Sequence, residues 1–461
     1  MSFLIVLAAL VFLMFVAYRG YSVIMFAPVA ALLAVLLTDP AQVLPMFSGV
    51  FLEKMVGFIK LYFPVFMLGA IFGKVIELSG FSKSIVSSVI KFVGQKRAML
   101  SIVLVCAILT YGGVSLFVVV FAVYPFAAEM FRQSNIPKRL IPGTIALGAF
   151  TFTMDSLPGT PQIQNIIPTT FFKTTTYAAP WLGIIGSIFI LGAGLAYLDW
   201  RRCRAAAENE GYGTNLVNEP EPFDDEKLVN PWIALLPLIV VGVFNKVFTV
   251  AIPQVYGTSV TVPLAGHPVT IQIGSVAAIW AVEGALLVGI LCVLVFAFKP
   301  VMAKFADGTK AAVAGSLLAA MNTASEYGFG GVIAALPGFT VIADVLKAIP
   351  NPLINEAITV SALAGITGSA SGGMSIALAA MSESFIQAAN AAHIPLEVLH
   401  RVASMASGGM DTLPHNGAVI TLLAVTGLTH KTSYKDIFAV TIIKTAAVFV
   451  VIGVYYLTGL Y

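Results

Sequence analysis

Met-Asp-Ser-Leu-Pro at Met154–Pro158 and Met-Asp-Thr-Leu-Pro at Met410–Pro414 are two copies of one pattern, and each lies inside an otherwise apolar segment. Each copy places a carboxylate and a proline where lipid offers no partner for a charge or for a freed backbone group. An intramembrane carboxylate costs at least ~2.5 kcal/mol, so its presence at two matching places indicates a function. The pattern predicts two transmembrane helices that are broken near the middle of the membrane.

The similarity between the two halves of the chain extends upstream of these copies. A Gly-Gly pair among small residues precedes each one, at Gly112–Gly113 and at Gly372–Gly373. A Gly-Phe pair lies further upstream at nearly the same offset, at Gly80–Phe81 and at Gly338–Phe339. Duplication of one ancestral half explains this shared order.

Composition places the chain in a membrane. Of its 461 residues, 59% are hydrophobic and 10% are charged, whereas soluble domains carry roughly 25% charged residues. The apolar runs suit helices that span a bilayer, which need about 20 residues, rather than barrel strands of about 10. The three cysteines have no metal-binding spacing, and no phosphate-binding loop is present. We therefore predict an all-α polytopic membrane protein with no cofactor, no metal ion and no nucleic-acid partner.

Segment boundaries follow from the apolar runs and their interruptions. Gly112 and Gly113 divide a long apolar segment with basic residues at both ends, which favours a re-entrant hairpin over a single crossing. The predicted segments are N-terminal spans (1–56), a first repeat (57–200) with a hairpin at 98–130 and a broken span at 140–172, a linker (201–230), connecting spans (231–310), and a second repeat (311–461) with a hairpin at 355–390 and a broken span at 400–430.

The distribution of basic residues predicts the orientation of these segments, because cytoplasmic loops are rich in lysine and arginine. Both termini are then outside, with ten crossings and two hairpins, and Lys347 and Arg401 fall on the outer side as exceptions. The two repeats have opposite orientations, which is typical of secondary transporters that bind substrate near the midplane. The residues that mark the cytoplasmic side are Lys83, Lys91, Lys96, Arg97, Arg201, Arg202 and Arg204.

The hairpin tips and the segments around the two breaks carry hydroxyls, amides and bare backbone that suit a small ligand. Half-helix N-termini carry partial positive charge, so they can hold a carboxylate, and we expect no arginine in the core. In the alternative interpretation, the small residues only allow close helix packing. The candidate substrate-binding residues are Thr110, Tyr111, Gly112, Gly113, Ser115, Ser156, Thr160, Gln162, Ser371, Gly372, Gly373, Ser375, Thr412, His415 and Asn416.

Four titratable residues are candidates for proton coupling: Asp411, Asp155, His415 and Glu326. Only Asp411 is followed, four residues on, by a second titratable group, and any residual helical turn would put Asp411 and His415 on one face. An imidazole titrates near neutral pH, and desolvation favours the protonated form of a carboxyl group in a closed site. We therefore predict that Asp411 carries the coupling proton and that Asp155 mainly orients the first broken span.

The chain resembles the gluconate permease family of the ion transporter superfamily from end to end. The resemblance rests on the residues around Gly112–Gly113, Asn135–Pro137, Leu157–Pro161 and Asp411–Gly417. It implies an inner-membrane proton symporter for organic acid anions. Members for sugar acids have a Pro-Pro-His-Pro-Gly-Pro run at the first break, where this chain has Leu-Pro-Gly-Thr-Pro. The chain is more similar to the branch for short-chain acids such as 3-hydroxybutyrate.

The predicted function is proton-coupled import of a small organic acid anion across a bacterial inner membrane, with both termini periplasmic. The anion is a short-chain hydroxy monocarboxylate or a gluconate-like sugar acid. The predicted partners are this anion, the proton and the lipid bilayer, and a homodimer is one assembly that we consider. Two alternatives stay open: a sodium-coupled carboxylate carrier or antiporter, and an intramembrane enzyme with Asp155 and Asp411 as an acid/base dyad.

Overall fold

The fold is described from a computed structural model, and nearly all of the described chain is helical. A pair of short antiparallel strands, β1 (Ser259–Val262) and β2 (Val269–Gln272), is the exception among the described residues. The structure describes residues 2–19, 21–94, 97–114, 116–214, 216–220, 228–263, 268–339, 341, 349–414 and 416–461. Ser115 and His415, two of the predicted site residues, therefore lie outside the described residues, as do Lys96 and Lys347.

The first half of the chain contains two N-terminal helices, a long helix with Pro64 in its interior, a helical hairpin and an interrupted helix. Its helices are α1 (Ser2–Tyr18), α2 (Val23–Thr38), α3 (Val43–Met46), α4 (Leu52–Leu78), α5 (Phe81–Val93), α6 (Ala98–Tyr111), α7 (Leu116–Gln133), α8 (Ile141–Ala149), α9 (Phe152–Asp155), α10 (Ile163–Phe172) and α11 (Pro180–Ala207). Short 3-10 turns cover Pro40–Gln42 and Lys138–Leu140, and a π-helical turn covers Phe47–Phe51.

The second half repeats the order of hairpin, interrupted helix and long helix. Its helices are α12 (Pro231–Tyr256), α13 (Ile273–Ala303), α14 (Phe305–Ala335), α15 (Pro352–Thr367), α16 (Ala370–Ala391), α17 (Leu396–Gly408), α18 (Gly417–Thr426) and α19 (His430–Thr458). A 3-10 turn, Gly409–Thr412, lies between α17 and α18.

The hairpins pack against the interrupted helices at the centre of the molecule. In the first repeat α6 packs on α8, and in the second repeat α15 packs on α17. The two repeats meet where α10 packs on α17 and where α19 packs on α8. The long helices α4, α12, α13 and α14 pack on one another, and their exposed faces are apolar, as with Val295 at 76% exposure. This arrangement places both breaks in the interior.

These elements confirm the predicted fold class, a helical membrane protein with two hairpins and two broken helices. Five helical segments of the described chain are long and apolar enough to span a bilayer by themselves. They are Pro40–Leu78, Pro180–Ala207, Pro231–Tyr256, Ile273–Ala303 and His430–Thr458. The predicted count of ten crossings also includes shorter or interrupted segments, so it stays a prediction.

Two segments that connect the long helices contain regular structure. Most of the segment between α4 and α6 is helix α5, whose Lys91 lies in its last turn. Gly80 begins this helix with a left-handed backbone, φ 76°, a conformation that glycine adopts without strain. The segment between α12 and α13 contains the β1–β2 hairpin. Both elements are short, and their signals are weaker than those of the apolar spans.

The described part of the linker contacts both repeats. The ammonium of Lys138 donates to the carbonyl of Val217 at 2.6 Å and pairs with Glu219 at 2.7 Å. The amide of Asn218 donates to the carbonyl of Ala424, at the end of α18, at 2.9 Å. Tyr124 of α7 donates to the carbonyl of Asn218 at 2.7 Å. This described part of the linker is therefore packed against both repeats.

A second group of linker contacts surrounds the start of α8. Arg139 donates to both carboxylate oxygens of Glu210, each at 2.6 Å, and its Nη1 lies 3.3 Å from Asp436 of α19. The hydrogen bond from Arg139 lowers the pKa of Glu210 below its ordinary value of 4.5. Arg201 pairs with the other oxygen of Asp436 at 2.6 Å. These pairs join the linker, α8, α11 and α19 at one end of the molecule.

Candidate functional site

The first break separates α8 from α10. After α8 ends, a single turn, α9, carries Asp155, and the chain then runs unwound to Gln162. Pro158 and Pro161 provide no backbone N–H for a helix here. Gly159 between them has φ 81°, and a Cβ there would come within 2.6 Å of the Tyr177 ring. The predicted break is therefore present, and its glycine is required by both conformation and space.

The second break lies between α17 and α18 and has its own capping residue. After the 3-10 turn Gly409–Thr412, Leu413 takes an extended conformation. Asn416 begins α18 by accepting hydrogen bonds from the backbone N–H groups of Ala418 and Val419. This side-chain cap satisfies helix donors that would otherwise be unpaired. Asn416 thus has a structural role in addition to its predicted place in the site.

Each hairpin tip is hydrogen-bonded to the break of its own repeat. In the first repeat the amide of Gln162 donates to the carbonyl of Thr110 at 2.7 Å. The hydroxyl of Tyr111 donates to the carbonyl of Pro158 at 2.9 Å. In the second repeat the amide of Asn416 donates to the carbonyl of Gly368 at 2.9 Å. The duplication seen in the sequence is therefore also present in the contacts of the two tips.

The tip glycines allow close approach of other elements. A Cβ on Gly112 would come within 2.5 Å of Leu238, and one on Gly113 would lie 3.3 Å from Pro161. A Cβ on Gly373 would come within 2.1 Å of the Ala364 backbone inside the second hairpin. For Gly373 these distances support the packing interpretation, because the atom it accommodates is the other helix of the same hairpin.

Gly372 faces one of the predicted coupling residues. A Cβ at this position would lie 1.5 Å from Oε2 of Glu326 on α14. Glu326 is buried, and within the described chain this oxygen has no hydrogen-bond partner. The neighbouring Ser371 hydroxyl lies 3.3 Å from that of Thr323, also on α14. The second tip therefore contacts a carboxylate, whereas the first contacts leucine.

The two repeated aspartates have different surroundings. Asp411 accepts hydrogen bonds on both oxygens, from Gln164 at 3.2 Å and from Asn416 at 3.0 Å. Asp155 accepts one from Ser156 at 2.7 Å, while its Oδ2 has no hydrogen-bond partner among the described residues. The contact of Gln164 with Asp411 joins the two repeats. Asp411 is thus held by amide donors, and Asp155 retains an oxygen without a hydrogen bond.

A fully buried arginine lies beside the first break, which corrects the expectation of a core without arginine. Arg401 of α17 is 0% exposed, so an arginine is present in the core. Its guanidinium donates to the carbonyls of Asp155 and Ala178, each at 2.8 Å, and to Asn165 at 3.1 Å. The unwound backbone at the break exposes the Asp155 carbonyl, and this freed acceptor stabilises the buried cation.

Neighbouring polar residues complete this contact between the repeats. Ser404 also donates to the Asp155 carbonyl, at 2.8 Å. His400 is fully buried, and its Nε2 lies 3.2 Å from the Asn165 oxygen. Asn165 in turn donates to the carbonyl of Thr160 at 3.0 Å. Helix α17 is therefore bonded to the first break and the start of α10 through His400, Arg401 and Ser404.

Lys444 is the second buried cation of the site, and the sequence analysis missed it. It lies in α19 at 1% exposure, with its ammonium 2.5 Å from the carbonyl of Phe150 and 3.8 Å from Oδ2 of Asp155. It also interacts electrostatically with Asp411. A lysine inside an apolar span is a signal of function, and this signal was available in the sequence.

The other predicted residues are used within the protein to different extents. The hydroxyl of Thr160 donates to the carbonyl of Thr153 at 2.6 Å, and that of Thr412 lies 2.6 Å from that of Thr441. Two predicted hydroxyls, those of Thr110 and Ser375, are buried and find no hydrogen-bond partner in the described residues. Glu356, fully buried in α15, was not predicted, and within the same residues neither of its carboxylate oxygens has a partner.

Comparison with known sequences relates the chain to a transporter. No protein-family model matches the chain. It is 60% identical over 471 residues to the uncharacterized transporter YxjC of Bacillus subtilis (strain 168), and the alignment covers 100% of both proteins. A solved structure, the Alcanivorax borkumensis YdaH transporter of unusual topology, has a TM-score of 0.49 and 14% identity over 91% of this chain and 90% of that one. Because the identity to YxjC is high over the full length, the chain belongs to the same family as YxjC and is a membrane transporter.

Proposed function

We propose that the protein is a secondary transporter that imports a small organic acid anion together with a proton, and that the anion binds where the two breaks meet. The observation that carries this proposal is the balance of buried charges there. Two carboxylates, Asp155 and Asp411, lie near two cations, Arg401 and Lys444, and all four side chains are buried. Their charges cancel, so an anion that enters the site adds a net negative charge.

An uncompensated charge inside a low-dielectric interior costs several kcal/mol. A proton taken up with the anion removes this cost, and it links uptake to the pH gradient. Asp155 is the group to which we assign this proton, because its Oδ2 is free of hydrogen bonds, whereas both oxygens of Asp411 accept them. The preference for Asp411 depended on His415, which lies outside the described residues.

Unpaired polar atoms support the same place for the anion. Buried hydroxyls without partners are costly, and those of Thr110 and Ser375 belong to the two hairpins. The N-terminus of α10 begins at the first break without a side-chain cap, and such an end favours negative charge. A carboxylate that accepts from these hydroxyls and from this helix end would satisfy groups that the protein leaves open.

The choice of anion and the location of the protein rest on the resemblance to the gluconate permease family. It supports a short-chain hydroxy acid such as 3-hydroxybutyrate before a sugar acid such as gluconate, and a bacterial inner membrane as the location. The basic residues at the linker end of α11 support a cytoplasmic linker and periplasmic termini. Single cysteines introduced at Asn209 and near either terminus test this orientation. Labelling of both from the same side would contradict it.

Uptake by purified protein in proteoliposomes tests the function. We expect 3-hydroxybutyrate to accumulate under an imposed pH gradient, acid outside, in the absence of sodium. Asp155→Asn should abolish accumulation while counterflow exchange of substrate remains, because an amide cannot take up the proton. Asp411→Asn is the matched control, since it should weaken substrate binding and leave the dependence on the pH gradient.

Other outcomes have definite meanings. Accumulation that requires a sodium gradient and ignores the pH gradient would refute proton coupling. Proton-driven accumulation at wild-type level by Asp155→Asn would refute the assignment of the proton to this residue. Chemical conversion of the substrate without a gradient would support an intramembrane enzyme.

A further inference from the structure

Lys444 lies where two kinds of oxygen converge on its ammonium. The carbonyl of Phe150, just after the end of α8, accepts its hydrogen bond, and Oδ2 of Asp155 lies 3.8 Å from the ammonium. The C-terminal end of a helix carries partial negative charge. A carboxylate oxygen without a hydrogen-bond donor and a carbonyl at a helix end are hard ligands of the kind that an alkali cation takes.

We infer that Lys444 is a built-in replacement for a bound sodium ion, so that this transporter binds no sodium at the first break. The inference rests on the proposed function, and it excludes sodium as the coupling ion at this position. The ammonium is attached to α19 and cannot leave, so it balances one aspartate permanently. A free cation at this position would come and go with each transport cycle.

The charged groups around Lys444 make the inference testable. Asp155 lies 3.8 Å from the ammonium, Asp411 interacts with it electrostatically, and Arg401 of α17 donates to the Asp155 carbonyl. Removing the lysine charge leaves this group with a net negative charge. If the side chain is also shortened, space opens between the Phe150 carbonyl and the Asp155 carboxylate, and a small cation can enter.

Two substitutions separate charge from space. Lys444→Ala removes the charge and opens the space, so we expect it to create a sodium site. Lys444→Met removes the charge but fills the space with a chain of similar length, so we expect no sodium site. Asp155→Asn added to Lys444→Ala removes the carboxylate ligand and should abolish the new site.

The measurement is thermal unfolding of the purified full-length protein in detergent, with sodium chloride replaced stepwise by choline chloride at constant ionic strength. We expect a saturable, sodium-specific rise in melting temperature for Lys444→Ala. Wild type, Lys444→Met and Lys444→Ala/Asp155→Asn should show none. The readout does not involve substrate, so a failure of proton-driven uptake refutes the proposed function without affecting this result.

Three outcomes would overturn the inference. One is a sodium-specific shift in wild type that Asp155→Asn removes, because sodium would then bind alongside Lys444. Another is a folded Lys444→Ala protein with no response to sodium. If Lys444→Ala does not fold, Lys444→Asn takes its place with the same expectation. Failure of both to fold even in sodium would also overturn it, since the ion should replace the missing charge.

Discussion

Gly408→Ala should displace the Asp155 carboxylate directly, because the added Cβ alone would clash with it. Gly408 ends α17 with an ordinary helical backbone, φ −62° and ψ −30°, so alanine is free of backbone strain there. Its Cβ, however, would lie 1.7 Å from Oδ2 of Asp155, where an ordinary contact begins at 3.4 Å. The carboxylate must therefore move by roughly the difference between these distances, away from Gly408.

The size of the effect follows from this clash. Overpacking of a filled interior costs about 1–3 kcal/mol, and a gain in helix propensity of up to about 1 kcal/mol offsets part of it. We expect Gly408→Ala to lower the free energy of unfolding by about 1–2 kcal/mol and to abolish proton-driven uptake. Gly192→Ala in α11 is the matched control, because a Cβ there meets nothing within 4 Å.

A double-mutant cycle tests the cause. In a background with Asp155→Ala and Lys444→Met, the clashing oxygen is absent and the net charge of the four buried groups stays zero. Gly408→Ala should then be neutral or slightly stabilising, which gives a coupling energy of about 1–3 kcal/mol. Unfolding in mixed detergent micelles measures all four proteins. A Gly408→Ala loss that persists undiminished in this background would refute the reasoning.

Three further predictions concern other buried or paired groups. Arg401→Lys keeps the charge but loses the planar set of donors, so it should lower the free energy of unfolding by about 2–3 kcal/mol; a change as small as that of an exposed Arg→Lys substitution would contradict this. Gly372→Ala should abolish uptake because its Cβ would lie 1.5 Å from Oε2 of Glu326, and Glu326→Ala in the same chain should restore stability, whereas an unrestored double variant would place the cause elsewhere. The hydrogen bond from Arg139 lowers the pKa of Glu210 below 4.5, so the pair stabilises the protein above that pH and loses its contribution as the pH falls through the lowered pKa. Glu210→Gln should therefore be less stable than wild type at pH 7 and equal to it in acid. A constant difference at every pH would argue against the pair.

The breaks and hairpins could be predicted from the sequence because their causes are local. Prolines remove helix hydrogen bonds at the residue where they occur, as at Pro158 and Pro414. The paired glycines at the tips mark close approach of backbone in the same way. These signals also occur twice, and the repetition distinguishes them from the glycines and prolines that membrane helices carry for other reasons.

The partners of the aspartates could not be predicted, because they come from distant parts of the chain. Gln164 and Asp411 are 247 residues apart, and Arg401 reaches the Asp155 carbonyl across 246. Arg401 lies near the start of its helix, where hydropathy alone cannot separate a loop residue from a buried one. Lys444 differs, since its place inside an apolar span was visible and only its partner, Asp155, was not.

The linker contacts hold the two halves of the chain together independently of the covalent connection between them. The residues that bind the second repeat, such as Asn218 with Ala424, precede 221–227, so a cut within that stretch leaves them attached to the first half. The hydroxyl of Tyr124 also reaches the carbonyl of Thr426 at 3.4 Å. The two halves therefore carry complementary surfaces. Residues 201–220, at the end of the first half, contribute part of the contact with the second half.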